Sequence, residues 1–283
     1  IQNMGIYILN ILVFLIPSSE IVIQIMQYIL NRFVKPKPIP KIDFSKGIDE
    51  ENISMIIIPT ILKNRKKVEE LIHQLEVYYI ANQSPNIYFT LLGDCSESSM
   101  KEEKTDNEVI EIGVKLIEDL NKKYSTENDF PIFHFLYRKR QWNEKENCYL
   151  GWERKRGMIM QFNEYILGNE ENKFRINTME QYKDCLPKFK YVITLDADTD
   201  LILNSAFELV GAMAHILNQP VIDEEKNMVI EGYGIIQPRI GIHLDVAYKS
   251  LFTQIFAGSG GIDSYTNAIS DVYQDNFGEG IFT

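Results

Sequence analysis

Cysteine is scarce in this sequence of 283 residues: Cys95, Cys148 and Cys185 stand far apart and form no C-x-x-C pair. That excludes a disulfide framework and a cysteine zinc site, and it fits a reducing, cytosolic setting. The four histidines, His73, His134, His215 and His243, are equally scattered and read as packing or surface residues rather than metal ligands. Positive charge is in deficit, with 29 Lys+Arg against 40 Asp+Glu and a net charge of −11. A general nucleic-acid-binding surface is excluded on that ground, because a phosphate backbone demands clustered cations. There is no internal repeat and no low-complexity tract, and the 45% hydrophobic content leaves no room for a disordered or collagen-like chain.

Nor is there an uninterrupted apolar run of the roughly 20 residues that a bilayer-crossing helix needs. Residues 5–16 (GIYILNILVFLI) and 21–30 are nearly all apolar, but Pro17, Ser18, Ser19 and Glu20 separate them. The first run fits the tail of a spanning helix and the second an interfacial helix, with a buried pair of core helices as the competing reading. Arg32, Lys35, Lys37 and Lys41 follow, and positive charge beside an apolar helix favours the cytoplasmic side. No small-residue cleavage site precedes the folded part, which argues against a signal peptide. An isoleucine at position 1 carries the expectation that the native start lies upstream. The expected organisation is an apolar transmembrane or interfacial helical segment over 1–34, a linker over 35–50 stiffened by Pro36, Pro38 and Pro40, and one domain over 51–283.

From Asn52 the pattern is strand then helix, repeated. Residues 53–58 (ISMIII) form a continuous apolar run ending at Pro59-Thr60, as a buried parallel strand does. Asn64 is placed to cap a helix whose Val68, Leu71, Ile72, Leu75 and Tyr79 share one face. Strands over 87–92, 132–137 and 191–195 alternate with helices over 109–120 and 153–167, while 168–188 is polar and weakly structured. Ser205 and Glu208 stand at capping-box spacing for a helix reaching Leu217. This alternation implies an α/β fold, a mainly parallel sheet with helices on both faces. Ligands of such sheets bind at the carboxyl ends of the strands, where Thr60, Asp94, Arg138 and Asp196 directly follow apolar runs.

The strongest chemical signal is Asp196-Ala197-Asp198-Thr199-Asp200, just after an apolar strand. Carboxylates in such a loop suit a hard divalent cation whose shell is completed by water and substrate phosphates. An EF-hand loop is excluded, since Leu201 and Phe207 occupy its glycine and glutamate positions. Two other readings stand beside metal binding: a phosphatase with Asp196 as nucleophile, and a helix-capping turn of solvated acids. Arg138-Lys139-Arg140 and Arg154-Lys155-Arg156 are candidate diphosphate clamps, the second followed by Gly157 at a helix start, where backbone N–H groups favour anions. The competing reading for each is a solvated basic face. Trp142, Tyr149 and Trp152 lie between the two clusters, suited either to stacking on a sugar or base or to core packing. Asp94 is placed to accept hydrogen bonds from a pyrimidine base.

Taken in order, Pro59-Thr60-Ile61-Leu62, Leu91-Leu92-Gly93-Asp94, Glu153-Arg154-Lys155-Arg156-Gly157, LDADT over 195–199, GYGIIQPR over 232–239, SDVYQD over 270–275 and FGEGIFT over 277–283 resemble the glycosyltransferase domain of cyclic β-1,2-glucan synthases, glycosyltransferase family 84. The resemblance runs from the first apolar segment to the last residue. It implies a GT-A-like nucleotide-diphospho-sugar fold within a larger multidomain synthase of the bacterial inner (cytoplasmic) membrane, the catalytic domain on the cytoplasmic side. The implied activity is inverting transfer of glucose from UDP-glucose onto a growing β-1,2-glucan. By the same resemblance Asp196 and Asp198 hold Mg²⁺ or Mn²⁺. Thr60 and Asp94 hold the uridine, and Arg154, Lys155 and Arg156 the diphosphate. Gln237, Arg239, Asp271 and Glu279 then approach the acceptor. The family has Lys-Leu where this chain has Met158-Ile159, and it continues past Thr283 into a further acidic segment. An inverting transfer needs a general base near the acceptor hydroxyl, expected beyond Thr283, so this stretch alone is expected to be inactive. The competing functions are a phosphoryl-transfer domain using Asp196 and a non-catalytic fragment that anchors to membrane lipid or binds nucleotide sugar.

Overall fold

The computed structural model describes residues 2–33, 38–124, 130–169, 174–238, 249–251 and 254. The chain divides into two units, one of residues 1–39 with 235–283 and a compact body, Pro40–Gly234. In the first unit, helix α1 (Gln2–Phe33) runs unbroken through Pro17. The two apolar runs are therefore one helix, a correction to the separation expected at Pro17-Ser18-Ser19-Glu20. A proline removes only one backbone bond of a helix, and just past it the Ser19 hydroxyl donates to Ile16 O at 2.7 Å. Its side chains from Met4 to Ile16 are exposed, including Leu9, Leu12 and Phe14. Among the described residues no helix is long and apolar enough to cross a membrane.

The body is built on strands β1 (Ser54–Ile61), β2 (Ile87–Asp94) and β3 (Phe133–Arg138), joined by helices α2 (Arg65–Ala81) and α3 (Lys104–Lys123). A short hairpin follows, β4 (Gln141–Asn143) and β5 (Cys148–Leu150), then α4 (Arg154–Ile166), β6 (Phe174–Asn177), β7 (Tyr191–Thr194) and α5 (Ser205–Ala214). A second hairpin, β8 (Val221–Asp223) and β9 (Met228–Glu231), ends the body. The main sheet has the order β6-β3-β2-β1-β7, parallel except for β6 at one edge. An α/β fold with a mostly parallel sheet covered by helices on both faces follows, as the alternation requires.

Strand periodicity divides the core. Ile56, Ile58, Phe89, Leu91, Phe133 and Phe135 face one way, packing with Val68 and Leu71 of α2, Val109 and Ile117 of α3, and Phe207 and Val210 of α5. Met55, Ile57, Leu92 and Leu136 face the other way, against Met158 and Phe162 of α4. Proline is at odds with a central strand, because it cannot donate to the ladder. β7 pairs only with residues 54–57 of β1, so at Pro59 that side of β1 is already an edge. The sheet parts there, and β1 connects to β2 on one side while β7 lies on the other. This is the switch point at which open α/β sheets place their ligands.

Several local expectations change. Residues 168–188 are not weakly structured throughout: Phe174–Asn177 adds the antiparallel edge strand, and buried Phe174 and Met179 anchor it. Ser205 and Glu208 form no capping box. The N-cap of α5 is Asn204 with a left-handed φ of 60°, Ser205 Oγ donates to Ile202 O, and Glu208 pairs with Lys41. The cap comes from far away in sequence: Asn82, just past α2, accepts the Ala206 N–H at 3.0 Å. By contrast Asn64 does cap α2, accepting the Lys67 N–H at 2.9 Å. Part of the stretch before β1 is packed, with Phe44 and Ile48 buried and the Ile42 N–H donating to Gly211 O at 3.0 Å.

Candidate functional site

At the switch point the chain leaves β7 through Leu195, whose N–H donates to Ile57 O at 3.0 Å, and exposes Asp196, Asp198 and Asp200 on a tight turn. The turn closes on itself, Thr199 N–H to Asp196 O at 3.0 Å, and is anchored from α2. Tyr78 Oη donates to Thr199 O at 2.5 Å, and Gln74 Nε2 to Asp200 Oδ1 at 3.4 Å. Burial, and then the charge of Asp200, push the Tyr78 phenol up to about 12, so it stays a donor. The N-cap position of α5 belongs to Asn204 and the side-chain cap to Asn82, so the helix-capping reading of this acidic turn is corrected. Asp196 and Asp198 are held on a fixed turn with their carboxylates open to solvent.

Across the crevice the first turn of α4 supplies the cations. Lys155 Nζ contacts Asp196 Oδ1 directly. Partial burial pushes the Lys155 ammonium down, and Asp198 pulls it up. Arg154 Nη2 pairs with Glu97 and, at 3.1 Å, with Glu146. Arg156 is 76% exposed, 3.8 Å from Glu153, and does not line the crevice. The crevice itself is a cavity of ≈ 710 Å³, walled by Thr60 and Ile61 of β1, Asp94 of β2, and Arg154, Lys155 and Met158 of α4. Lys63, Lys67 and Glu97 complete it. The two lysines were missed in the sequence, although both flank Asn64 at the N-terminus of α2, which follows a strand end and favours anions. A larger hollow of ≈ 850 Å³ lies between α3, the start of β3 and the residues after β6. It sits towards the amino ends of the parallel strands, where such sheets do not bind ligands.

The first basic cluster turns inward. Arg138 is 1% exposed and paired with Asp94 (2%) at 3.0 Å, while Arg140 is buried against Asp106. Neither guanidinium is available as a diphosphate clamp, a correction to that expectation; only Lys139 between them is exposed. β3 is buried on both faces along its whole length, so its periodicity gave no sign of which of these three residues would turn inward. Burial raises the Asp94 carboxyl above its usual range against the pull of Arg138. Burial also pushes Asp106 up, but hydrogen bonds led by Arg140 outweigh it and hold the carboxyl below the usual range. Tyr137 Oη donates to Asp106 at 3.0 Å. Asp94 accepts the Cys95 N–H at 2.9 Å, so its crevice-side capacity is shared with structural work.

Trp142 and Tyr149 stack edge to face on the β4–β5 hairpin, ring centroids 5.0 Å apart, and both tryptophans are part exposed. Glu97, Glu146 and Cys148 converge beside Arg154. Of the residues assigned to the acceptor, Gln237 is exposed, in the unit outside the body. Arg239, Asp271 and Glu279 lie outside the described residues.

No protein-family profile matches the chain. Over 281 residues it is 35% identical to the cyclic β-(1,2)-glucan synthase NdvB of Rhizobium meliloti (strain 1021). The match covers 99% of this chain and 10% of that protein, so the chain spans about a tenth of the length of the curated relative it matches.

Proposed function

We infer that this chain, a homologue of one segment of a cyclic β-(1,2)-glucan synthase, is the donor-binding part of a GT-A-like glycosyltransferase within a larger multidomain synthase. Its reaction is inverting transfer of glucose from UDP-glucose onto a growing β-1,2-glucan. The observation that carries this is the meeting of Lys155 with Asp196 across the crevice at the carboxyl ends of β1 and β7. Cations on one wall and fixed carboxylates on the other suit a diphosphate bridged to a metal ion.

Asp196 and Asp198 fit Mg²⁺ or Mn²⁺: both are hard oxygen donors, exposed, on a turn anchored through Tyr78. Such an ion supplies charge neutralisation of the departing diphosphate. Arg154 and Lys155 stand at the crevice to meet phosphate oxygens, with Lys63 and Lys67 on the opposite lip. Arg156 is assigned to the same diphosphate side by the family resemblance. Thr60 and Asp94 close the floor and are assigned to the uridine. Gln237, Arg239, Asp271 and Glu279 are assigned to the acceptor side, and the general base to a region beyond this chain. The exposed apolar helix α1 is assigned to membrane lipid, and the cytoplasmic face of the inner membrane is assigned from the family resemblance.

Calorimetry with UDP and Mn²⁺ tests the reading. Binding of UDP is expected to require Mn²⁺ and to be lost in Asp198→Asn. At a ligand concentration about 100 times Kd the melting temperature should rise by roughly 5–10 °C, from about 2.7 kcal/mol of linkage. A wild-type protein indifferent to both would sink it. A covalent aspartyl-phosphate on Asp196 would favour phosphoryl transfer instead.

A further inference from the structure

Arg138 has an arrangement that the donor reading does not need. A buried guanidinium is expensive to place, and an aliphatic side chain of similar size would fill the same space. Here all three nitrogens of the fork are used. Nε donates to Gln161 Oε1 at 2.8 Å, and Nη1 to Asp94 Oδ2 at 3.0 Å and to Arg154 O at 2.9 Å. Nη2 donates to Trp152 O at 2.6 Å. Two of the four acceptors are main-chain carbonyls bracketing Glu153. Glu153 and Arg154 both take left-handed backbone, φ 52° and 51°, a conformation that residues with a Cβ adopt rarely and seldom in succession. That backbone lets the carbonyls of Trp152 and Arg154 both reach the Arg138 fork. Gln161 is a second attachment, about two turns along α4.

The surroundings leave no slack. A Cβ on Gly157 would lie 2.0 Å from Trp152 O, and one on Gly151 would lie 2.2 Å from Asp94 Oδ1. The lead-in to α4 is thus pressed onto the ends of β2 and β3. Its next residue is Lys155, which crosses to Asp196.

We propose that Arg138 is a positioning residue for the donor site: its fork fixes the left-handed lead-in to α4 and thereby sets Lys155 opposite Asp196. The role in donor binding rests on the reading of the crevice as a nucleoside-diphosphate site; the hold on the lead-in does not.

The test is Arg138→Lys, which keeps a charge beside Asp94 but cannot serve both carbonyls and Gln161 from one ammonium. Hydrogen exchange of the 153–158 amides should quicken at least about tenfold, with β2 and β3 unchanged. The Kd for UDP with Mn²⁺ should weaken about tenfold. In a cycle with Lys155→Gln the two losses should be non-additive, because Arg138 acts through Lys155. Unchanged exchange overturns the proposal whether or not the wild type binds UDP, and additive losses overturn its link to Lys155. If the wild type fails to bind UDP while exchange responds, the donor reading fails and the hold on the lead-in stands. Should Arg138→Lys not fold, Gln161→Met removes one acceptor and spares the ion pair. It should shift exchange and affinity the same way by about threefold, and no shift would equally overturn the proposal.

Discussion

Asp94→Ala is the substitution whose cost the structure defines most sharply. The carboxylate is 2% exposed and its partner Arg138 1% exposed, so the pair is shielded from water on both sides. Removing one partner of a buried pair leaves the other as an uncompensated charge, a loss of roughly 3–5 kcal/mol. Arg138 cannot discharge itself by losing a proton. It does keep Gln161 Oε1 and the carbonyls of Trp152 and Arg154 as acceptors, which spread the charge and put the cost at the low end, about 3 kcal/mol. With a urea m-value of about 2–3 kcal/mol/M, the unfolding midpoint should fall by about 1–1.5 M. Equilibrium urea unfolding followed by circular dichroism measures it. The double variant Asp94→Leu with Arg138→Met removes both charges and should cost less than Asp94→Ala alone. A midpoint within about 0.3 M of wild type for Asp94→Ala, or a double variant worse than the single, would refute the account of this pair.

Two further outcomes follow from other parts of the molecule. His134 is buried with Nε2 2.8 Å from Pro131 O, and burial lowers its pKa to about 3. Its folded-state pKa lies below the unfolded value of about 6.5, so the unfolded chain takes up the proton first and stability falls as pH drops from 6.5 towards 3. At pH 5 the histidine alone contributes a loss of about 2 kcal/mol, or roughly 4–8 °C in Tm, and His134→Gln should remove that part of the slope; an identical acid profile in the variant would show the assignment to be wrong. Helix α1 exposes Ile11 and Phe14. If lipid covers them, Phe14→Glu should reduce co-sedimentation with phospholipid vesicles about tenfold, since a buried Phe contributes about 1.5–3 kcal/mol, and undiminished partitioning would sever α1 from the membrane.

What the sequence made legible was governed by local repetition. The strands β1, β2, β3 and β7 announce themselves as short apolar runs because both faces of a parallel strand are covered. The carboxyl ends of those runs then locate Thr60, Asp94 and Asp196 without any coordinates. The Asn64 cap is equally local, a side chain and an N–H three residues apart. The failures share the opposite property. α5 is capped by Asn82, 124 residues away, so the nearby Ser205 and Glu208 were a decoy. Arg138 and Arg140 look like a surface clamp in one dimension because their neutralising partners, Asp94 and Asp106, are 44 and 34 residues distant. The edge strand at Phe174–Asn177 is short, polar and antiparallel, with only Phe174 buried, so its pairing with β3 leaves little periodic trace.

The two arginine-rich stretches therefore divide the labour of one site, and their burial decides which does what. Arg138 and Arg140 have lost water and are fixed by acids and carbonyls; a phosphate could reach them only by dismantling those bonds. Arg154 and Lys155 are paired too, but loosely. Side-chain exposure is 37% for Arg154 and 46% for Lys155, and their partners Glu97 and Asp196 are more than half exposed. Pairs of that kind are worth about 0–1 kcal/mol each, against several for the buried pair. An incoming anion can take Lys155 from Asp196 at small cost, and a cation can take Asp196 in return. Under the donor reading proposed above, exchange of partners, rather than the burial of bare charge, is how the crevice would admit a diphosphate and a metal ion.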